Sequence, residues 1–415
     1  MGLTSMESAS PADVVSTSLV EGKAVEVAYP MSSPEFRLLA ACAVGLRGPV
    51  RDAAVRAAVE PAPDWPAFLT IVRRHRMAPL AVDALSCAGI APSVDLKALA
   101  TRDVRQALSL CAEAACLQVR FASQGIAMAV VKGPVLSQLL YGTPGLRQCK
   151  DLDLWIAPED VARSIAVLQA DGYQVVGGPP TFASPWLDLW LATRKDSVVC
   201  HPKTGLILEL HHRLTENPHV MGTLVVADAL REVSVGRELL RTLSEGDLFS
   251  YLCTHGTVSR WFRLKWLADI QALLSGKSPE EVARLFDVAR ARGAERAAGL
   301  ALWLCRRLWD LPLPAAVAER LDADRSLPWL ERICINALQG PEFPHGRFRA
   351  IPNLLYLWRL NSSWAYRARL IRNLSVDWTL VHQLPLPPPL HFLYPLLRLP
   401  SWLWRRITYV TRQAA

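Results

Sequence analysis

The chain has 415 residues, 51% of them hydrophobic and 20% charged, with 14 Trp and a slightly positive mean hydropathy. This composition excludes a disordered or low-complexity chain and leaves room for two or three globular domains with a well-buried core. The formal net charge of +8 is carried mostly by Arg dispersed through Ala- and Leu-rich segments, with no basic block and no RNA-binding motif, so specific nucleic-acid binding is not expected.

Residues 1–30 read as a loose polar tail: MGLTSMESASPADVVSTS has no basic start followed by an apolar stretch, which argues against a signal peptide. Nine cysteines form no CxxC pair, and several, such as Cys111 and Cys116, sit in apolar helical runs. Both features favour a reduced, cytoplasmic setting. From 31 to 125 the pattern is helical. SSPEFRLLAACAVG offers a Ser cap with Pro in the first turn, DWPAFLTIVRRHRMAPLAVDALSCAG repeats apolar residues at three and four, and a third long helix ends at Gly125. The basic stretches VRRHRM and RARLIRNL read as solvated helix faces.

The period changes in the segment 126–214. IAMAVV is a short apolar run, followed by a Lys-Gly turn and the helical PVLSQLLY; KDLDLWIA is a second strand and PEDVARSIAVLQADGY a helix. YQVVG adds a strand, and DSVVCHPKTGLILELHH reads as a hairpin around Pro202 to Gly205. Helical periodicity returns from 215 to 375, with no solenoid repeat. Residues 376–415 form a Pro-rich, extended connector and a hydrophobic end segment. The Trp, Leu and Arg of 390–410 would suit peripheral contact with a membrane surface, but packing back onto the core is the favoured reading, and no run is long enough to span a bilayer.

The chemistry concentrates in the α+β segment. On a strand, Asp151 and Asp153 project to one side while Leu152 and Leu154 point to the other. Paired carboxylates repel unless a cation sits between them, and a divalent metal is a common solution. LILELHH contributes Glu209 in the same apolar–acid–apolar setting. Three carboxylates on neighbouring strands would suit Mg²⁺. Gly133 lets backbone amides approach a phosphate at a helix N-terminus, Lys132 adds a positive charge, and Arg147 is a candidate to bind phosphate or to hold the acids. His211 and His212 face opposite sides of a strand and make a poor zinc pair. Trp261, Leu264 and Leu267 fall near one helical face and read as core. There is no P-loop, HExxH or GxSxG motif.

A Gly turn after a first strand, an Asp-x-Asp strand and a single acid on a later strand resemble the nucleotidyltransferase fold of the polymerase β superfamily. VVKGPVLSQLLY, the spacing of Arg147 to DLDL, LELHHRL and HGTVSRWFRLKWLADIQALL are similar to a narrower family of uncharacterised bacterial nucleotidyltransferases, over most of 35–400. The resemblance implies an α+β fold, with a small mixed-sheet nucleotidyltransferase domain flanked by all-α N-terminal and C-terminal regions. It implies Asp151, Asp153 and Glu209 as catalytic and metal-binding, and Lys132 and Gly133 as the phosphate turn, with Lys-Gly standing where the superfamily usually has Gly-Ser. His211, His255 and Arg263 are candidates for substrate contact or for support of the acids. The expected cofactor is Mg²⁺ or Mn²⁺, and the expected donor is a nucleoside triphosphate, ATP in the first instance. The acceptor is a small molecule, peptide or protein, in keeping with the family's association with biosynthetic gene clusters. Phosphoryl transfer on the same fold, and an inactive nucleotide- or protein-binding module, are the alternatives.

Overall fold

The computed structural model describes residues 33–45, 47–226, 230–340, 350–398 and 400–401. The polar tail expected at 1–30 and the end of the hydrophobic C-terminal segment lie outside the described residues. The fold is α+β, a five-stranded mixed sheet set among helices from both ends of the chain.

Serine and aspartate caps start several of the helices, each accepting from a backbone N–H of the first turn: Ser33 for Pro34–Ala41, Asp64 for Trp65–His75, Ser93 for Val94–Ser123 and Ser244 for Glu245–Val258. Ser278 and Glu281 complete a reciprocal capping box at Pro279–Ala291. The second expected N-terminal helix is two, Trp65–His75 and Ala78–Cys87, because Arg76 takes a left-handed conformation between them. VRRHRM is not a solvated face throughout: His75 is buried, and Arg74 donates to Ala337 O at 2.6 Å.

The strands are β1 (Met128–Val130), β2 (Leu152–Ile156), β3 (Gln174–Gly177), β4 (Asp196–Cys200) and β5 (Ile207–His211), in the order β1-β2-β5-β4-β3. β2 and β5 run parallel, while β4 pairs antiparallel with β5 as the expected hairpin. Alternation sorts the side chains. Met128, Val130, Leu152, Leu154, Ile156, Leu208 and Leu210 join a core with Leu117 and Phe121 of the long helix and Ile165 and Leu168 of Val161–Ala170. Ala129, Val131 and Trp155 join a second core built with helices from both ends of the chain. That second core unites chain segments far apart in sequence. Leu38 and Leu39 share it with Leu300 and Leu330, and Trp309 Nε1 donates to Ala40 O at 3.0 Å.

Three sequence readings need correction. The stretch after 215 is not helical throughout: β6 (Leu230–Val235) and β7 (Glu238–Leu243) form a hairpin beside β1, turning at Gly236 with φ +65°. Its period-2 apolar residues Val233, Val235 and Leu240 belong to the first core. Trp261 does not share a helical face with Leu264 and Leu267. Glu245–Val258 ends, Arg260 and Trp261 take positive φ, and Leu264–Leu274 begins, although Trp261, Leu264 and Leu267 are all fully buried core residues. Gly256 explains the break: a Cβ there would lie 2.2 Å from the Trp261 ring, so only glycine lets the indole return onto the helix. Lastly, the Pro-rich segment is folded rather than extended. Tyr394 Oη accepts from Leu386 N at 2.8 Å and donates to Leu384 O at 3.0 Å, and Trp378 packs edge-on against Trp190 at 4.6 Å. Among the described residues no helix is long and apolar enough to cross a membrane.

Candidate active site

The parallel register of β2 and β5 sets Asp153 opposite Glu209, and the antiparallel register of β4 and β5 sets Asp196 opposite His211. Since Glu209 and His211 are two residues apart, all four side chains emerge on the face that carries Trp155. Sequence spacing suggested the first pair; the second depends on which strands meet.

The turn before β2 fixes the edge of this face. Ser137, wholly buried on the helix Gly133–Tyr141, donates to Thr143 O at 2.7 Å and accepts from Arg147 N at 3.0 Å. Gly133 takes φ +72° at the start of that helix, a conformation that strains any residue with a Cβ. Lys132, just before it, reaches Asp153 Oδ1 with Nζ at 2.7 Å and lies over the Tyr251 ring at 5.7 Å.

His211 Nε2 lies 3.1 Å from Asp153 Oδ1 and 3.3 Å from Glu209 Oε2, bridging the two carboxylates. Its Nδ1 is 3.4 Å from Lys195 Nζ, and Lys195 pairs with Asp196. Lys132, Asp153 and His211 are buried, while Lys195, Asp196 and Glu209 are partly exposed, Glu209 most, with 28% of its side-chain accessibility.

Charge balance makes this burial tolerable. Burial alone would raise the Asp153 carboxyl, but Lys132 and His211 hold it well below the ordinary value. For Lys132, burial favours the neutral amine, yet Asp153 keeps its pKa raised. Burial and Lys195 press His211 down, while its hydrogen bonds to Asp153 and Glu209 outweigh them and raise it. Burial likewise opposes the Asp196 charge, and Lys195 and His211 overcome it. Asp151 goes the other way: burial, then repulsion from Asp153 and Glu209, raises its pKa.

One ligand atom each from Asp153, Glu209 and His211 lies within 4.8 Å of the others. Two carboxylates and an imidazole at that separation fit a small divalent cation: Mg²⁺ through the oxygens, and Mn²⁺ through oxygen and nitrogen alike. Asp151, expected to be a ligand, lies just before β2 and is not in this group.

Other expected site residues are distributed differently. Arg147 neither holds the acids nor faces an open phosphate site; its Nε donates to both oxygens of Asp269, at 2.8 and 3.0 Å, in a buried pair that ties the pre-β2 turn to the helix Leu264–Leu274. Arg263 is also elsewhere, donating to Arg74 O at 3.2 Å and lining a separate basic cleft with Arg73, Arg76, Arg102 and Lys150. His255 does come to the site. It lines the cavity that opens at Glu209, packed between Tyr251 and Trp266, and burial followed by Lys132 lowers its pKa well below the ordinary value.

Sequence reasoning missed Lys195, Asp196, Tyr251 and Lys265. The first two form an adjacent charged pair entering β4, a weak signal that gains meaning only from pairing with His211. Lys265 is buried, donates to Gln148 O at 3.1 Å, and lowers the pKa of Asp151 against the larger effect of burial. Burial and then Arg147 bring its own pKa down to about 7.

A family described as uncharacterised nucleotidyltransferase matches residues 61–310, a span that includes every side chain of this network. No curated protein matches the chain.

Proposed function

The chain belongs to this family of uncharacterised nucleotidyltransferases, and from that premise we propose that it transfers a nucleoside monophosphate from a nucleoside triphosphate, ATP in the first instance, to an acceptor hydroxyl. The observation that carries the reading is the register of Asp153 with Glu209, which sets two carboxylates side by side, Glu209 lining a cavity. In the reaction the acceptor oxygen bonds to the α-phosphorus while the bond from that phosphorus to the oxygen bridging to the β-phosphorus breaks. Pyrophosphate leaves with the electron pair, and the acceptor proton passes to the Glu209 carboxylate, the accessible one of the pair.

Asp153 and Glu209 would hold the divalent cation, with His211 beside both and Asp151 as a further acid at the edge. When bound, such a cation neutralises the phosphates and polarises the reacting phosphorus. The protein's own groups do the rest. Lys132 and the N-terminus of Gly133–Tyr141 favour the negative charge of the triphosphate. His211 keeps the two carboxylates apart and oriented, and Lys195 with Asp196 fixes its ring from the far side.

The experiment is incubation of the full chain with Mg²⁺, a metabolite extract of the native host, and ATP labelled in the α- or γ-phosphate. The reading requires α-label on a new product together with released pyrophosphate, both abolished in Glu209→Gln. Transfer of γ-label would establish phosphoryl transfer instead. No transfer of either label, with ATP binding indifferent to Asp153→Ala, would leave a binding module.

A further inference from the structure

The cavity that begins at Glu209 has a volume of about 390 Å³, within the range of small-molecule sites. Its two ends differ. Lys132, Arg194, Lys195 and Glu209 stand at the sheet end, while Val258, Leu357, Leu370 and Leu374 line the other. Three asparagines line the cavity with their side-chain amide nitrogens engaged by the protein: Asn361 Nδ2 donates to Gly293 O at 3.3 Å and, on the far wall, Asn217 Nδ2 donates to Tyr366 O at 2.9 Å and Asn373 Nδ2 to Glu216 O at 2.7 Å. The two far-wall bonds latch the helix Trp364–Ser375 over the cavity and leave mainly apolar surface facing inward.

We infer that this cavity is the acceptor site and that it receives a small amphipathic molecule, hydroxyl end toward Glu209 and apolar body against the helices Ala350–Arg359 and Trp364–Ser375. The inference rests on the nucleotidyl-transfer reading and adds the class of acceptor to it. Two observations separate the acceptor from the nucleotide here. A triphosphate needs cations, and the cavity's cations are confined to the sheet end. The apolar wall at Leu357, Leu370 and Leu374 is built by residues beyond the 61–310 family match. What the family shares, the nucleotide and the acids, should be bound by the matched region; what distinguishes this chain, its acceptor, should be bound by the part outside it. Discrimination in such a site would come from apolar fit, with each methylene in the acceptor changing its selection by roughly 10–200-fold.

The test uses two probes on the full chain by isothermal titration calorimetry: 4-pentylphenol for the amphipathic site, and α,β-methylene-ATP with Mg²⁺ for the nucleotide. Wild type should bind 4-pentylphenol at a single site. Leu374→Trp should weaken that binding by about tenfold or more, by filling the apolar end, while leaving the nucleotide analogue's affinity unchanged. Val258→Trp, at an exposed position on the cavity rim, should do the same if Leu374→Trp fails to fold. Absence of 4-pentylphenol binding in wild type, or binding insensitive to both substitutions, would overturn the assignment. So would loss of nucleotide binding in either variant, which would make the cavity the nucleoside pocket. If 4-pentylphenol binds as stated but the nucleotide analogue does not bind wild type, the nucleotidyl-transfer reading fails and the amphipathic site stands.

Discussion

The two faces of the β2–β5 pair are built from alternate residues of the same strands and, apart from Glu209, are both shielded from water, yet opposite in chemistry. Leu152, Leu154, Leu208 and Leu210 are wholly buried in an apolar core. Asp153 and His211 are almost as deeply buried, at 2% and 1% exposure, in a lattice of charges. The leucine face is held by area removed from water and tolerates any apolar group of the right size. The acid face is held only while each charge keeps its partner, and a lone survivor would be strongly destabilising. Stability and chemistry are thus assigned to opposite sides of one sheet, and substitutions on the two sides should fail in different ways.

The largest expected effect falls on the acid face. Asp153→Asn, close in shape to the native side chain, should lower nucleotidyl transfer by about a thousandfold or more, measured as initial rate with α-labelled ATP. Glu209→Gln, at the partly exposed corner, should lose activity with little change in melting temperature. Asp269→Ala probes the buried pair under the acid-bearing turn and should cost about 3–5 kcal/mol in urea unfolding, because it strands the Arg147 guanidinium. On the leucine face, Leu210→Ala should cost about 2–5 kcal/mol while leaving the rate nearly unchanged at a temperature where the variant is folded. If Leu210→Ala, assayed where it is folded, instead lost activity as severely as Asp153→Asn, the contrast between the faces would collapse.

A titration and a tether give smaller effects away from the sheet. Burial, with Arg74 and Arg263 adding to it, pushes the His75 pKa down to about 3, and its Nδ1 accepts from Leu264 N at 2.9 Å. In the window between about 3 and the ordinary 6.5 the unfolded chain binds a proton that the folded chain refuses. The contribution is therefore complete above 6.5 and is lost as pH falls toward 3, by ~2 kcal/mol at pH 5. Urea unfolding at pH 7 and pH 5 should show this loss, and His75→Gln should reduce it. Gln118, whose side chain bonds Leu239 O at 2.6 Å and Arg241 N at 3.0 Å, tethers the long helix to β7. Gln118→Ala should cost only about 1 kcal/mol.

The site was legible where the chemistry is local in sequence. DLDLWI and LILELHH declare both alternation and acids, and the Lys-Gly turn declares a strand passing into a helix. Serine caps and Gly ends similarly announced many of the helices. What escaped was set by contacts between distant segments. REVSVGRELLRTL has its own alternation and turn glycine, but lies among strongly helical neighbours whose period masks it. Arg147 looked like an acid-holding or phosphate-binding residue because of its spacing to Asp151; its partner, Asp269, is on another element. Arg263, three residues past Arg260, is carried away from the acids by the two positive-φ residues Arg260 and Trp261. Lys195 and Asp196 matter because β4 lies against β5, and no local pattern states that pairing.

The central claim is that Asp153 and Glu209 together hold a divalent cation on nucleotide phosphates. Its most direct test is the affinity for α,β-methylene-ATP with Mg²⁺ and in EDTA, in wild type and in Glu209→Gln and Asp153→Asn. The account predicts that Mg²⁺ strengthens binding by about tenfold or more in wild type and has little effect in either variant. Equal affinity with and without Mg²⁺ in wild type, or a metal dependence that survives both substitutions, would contradict it.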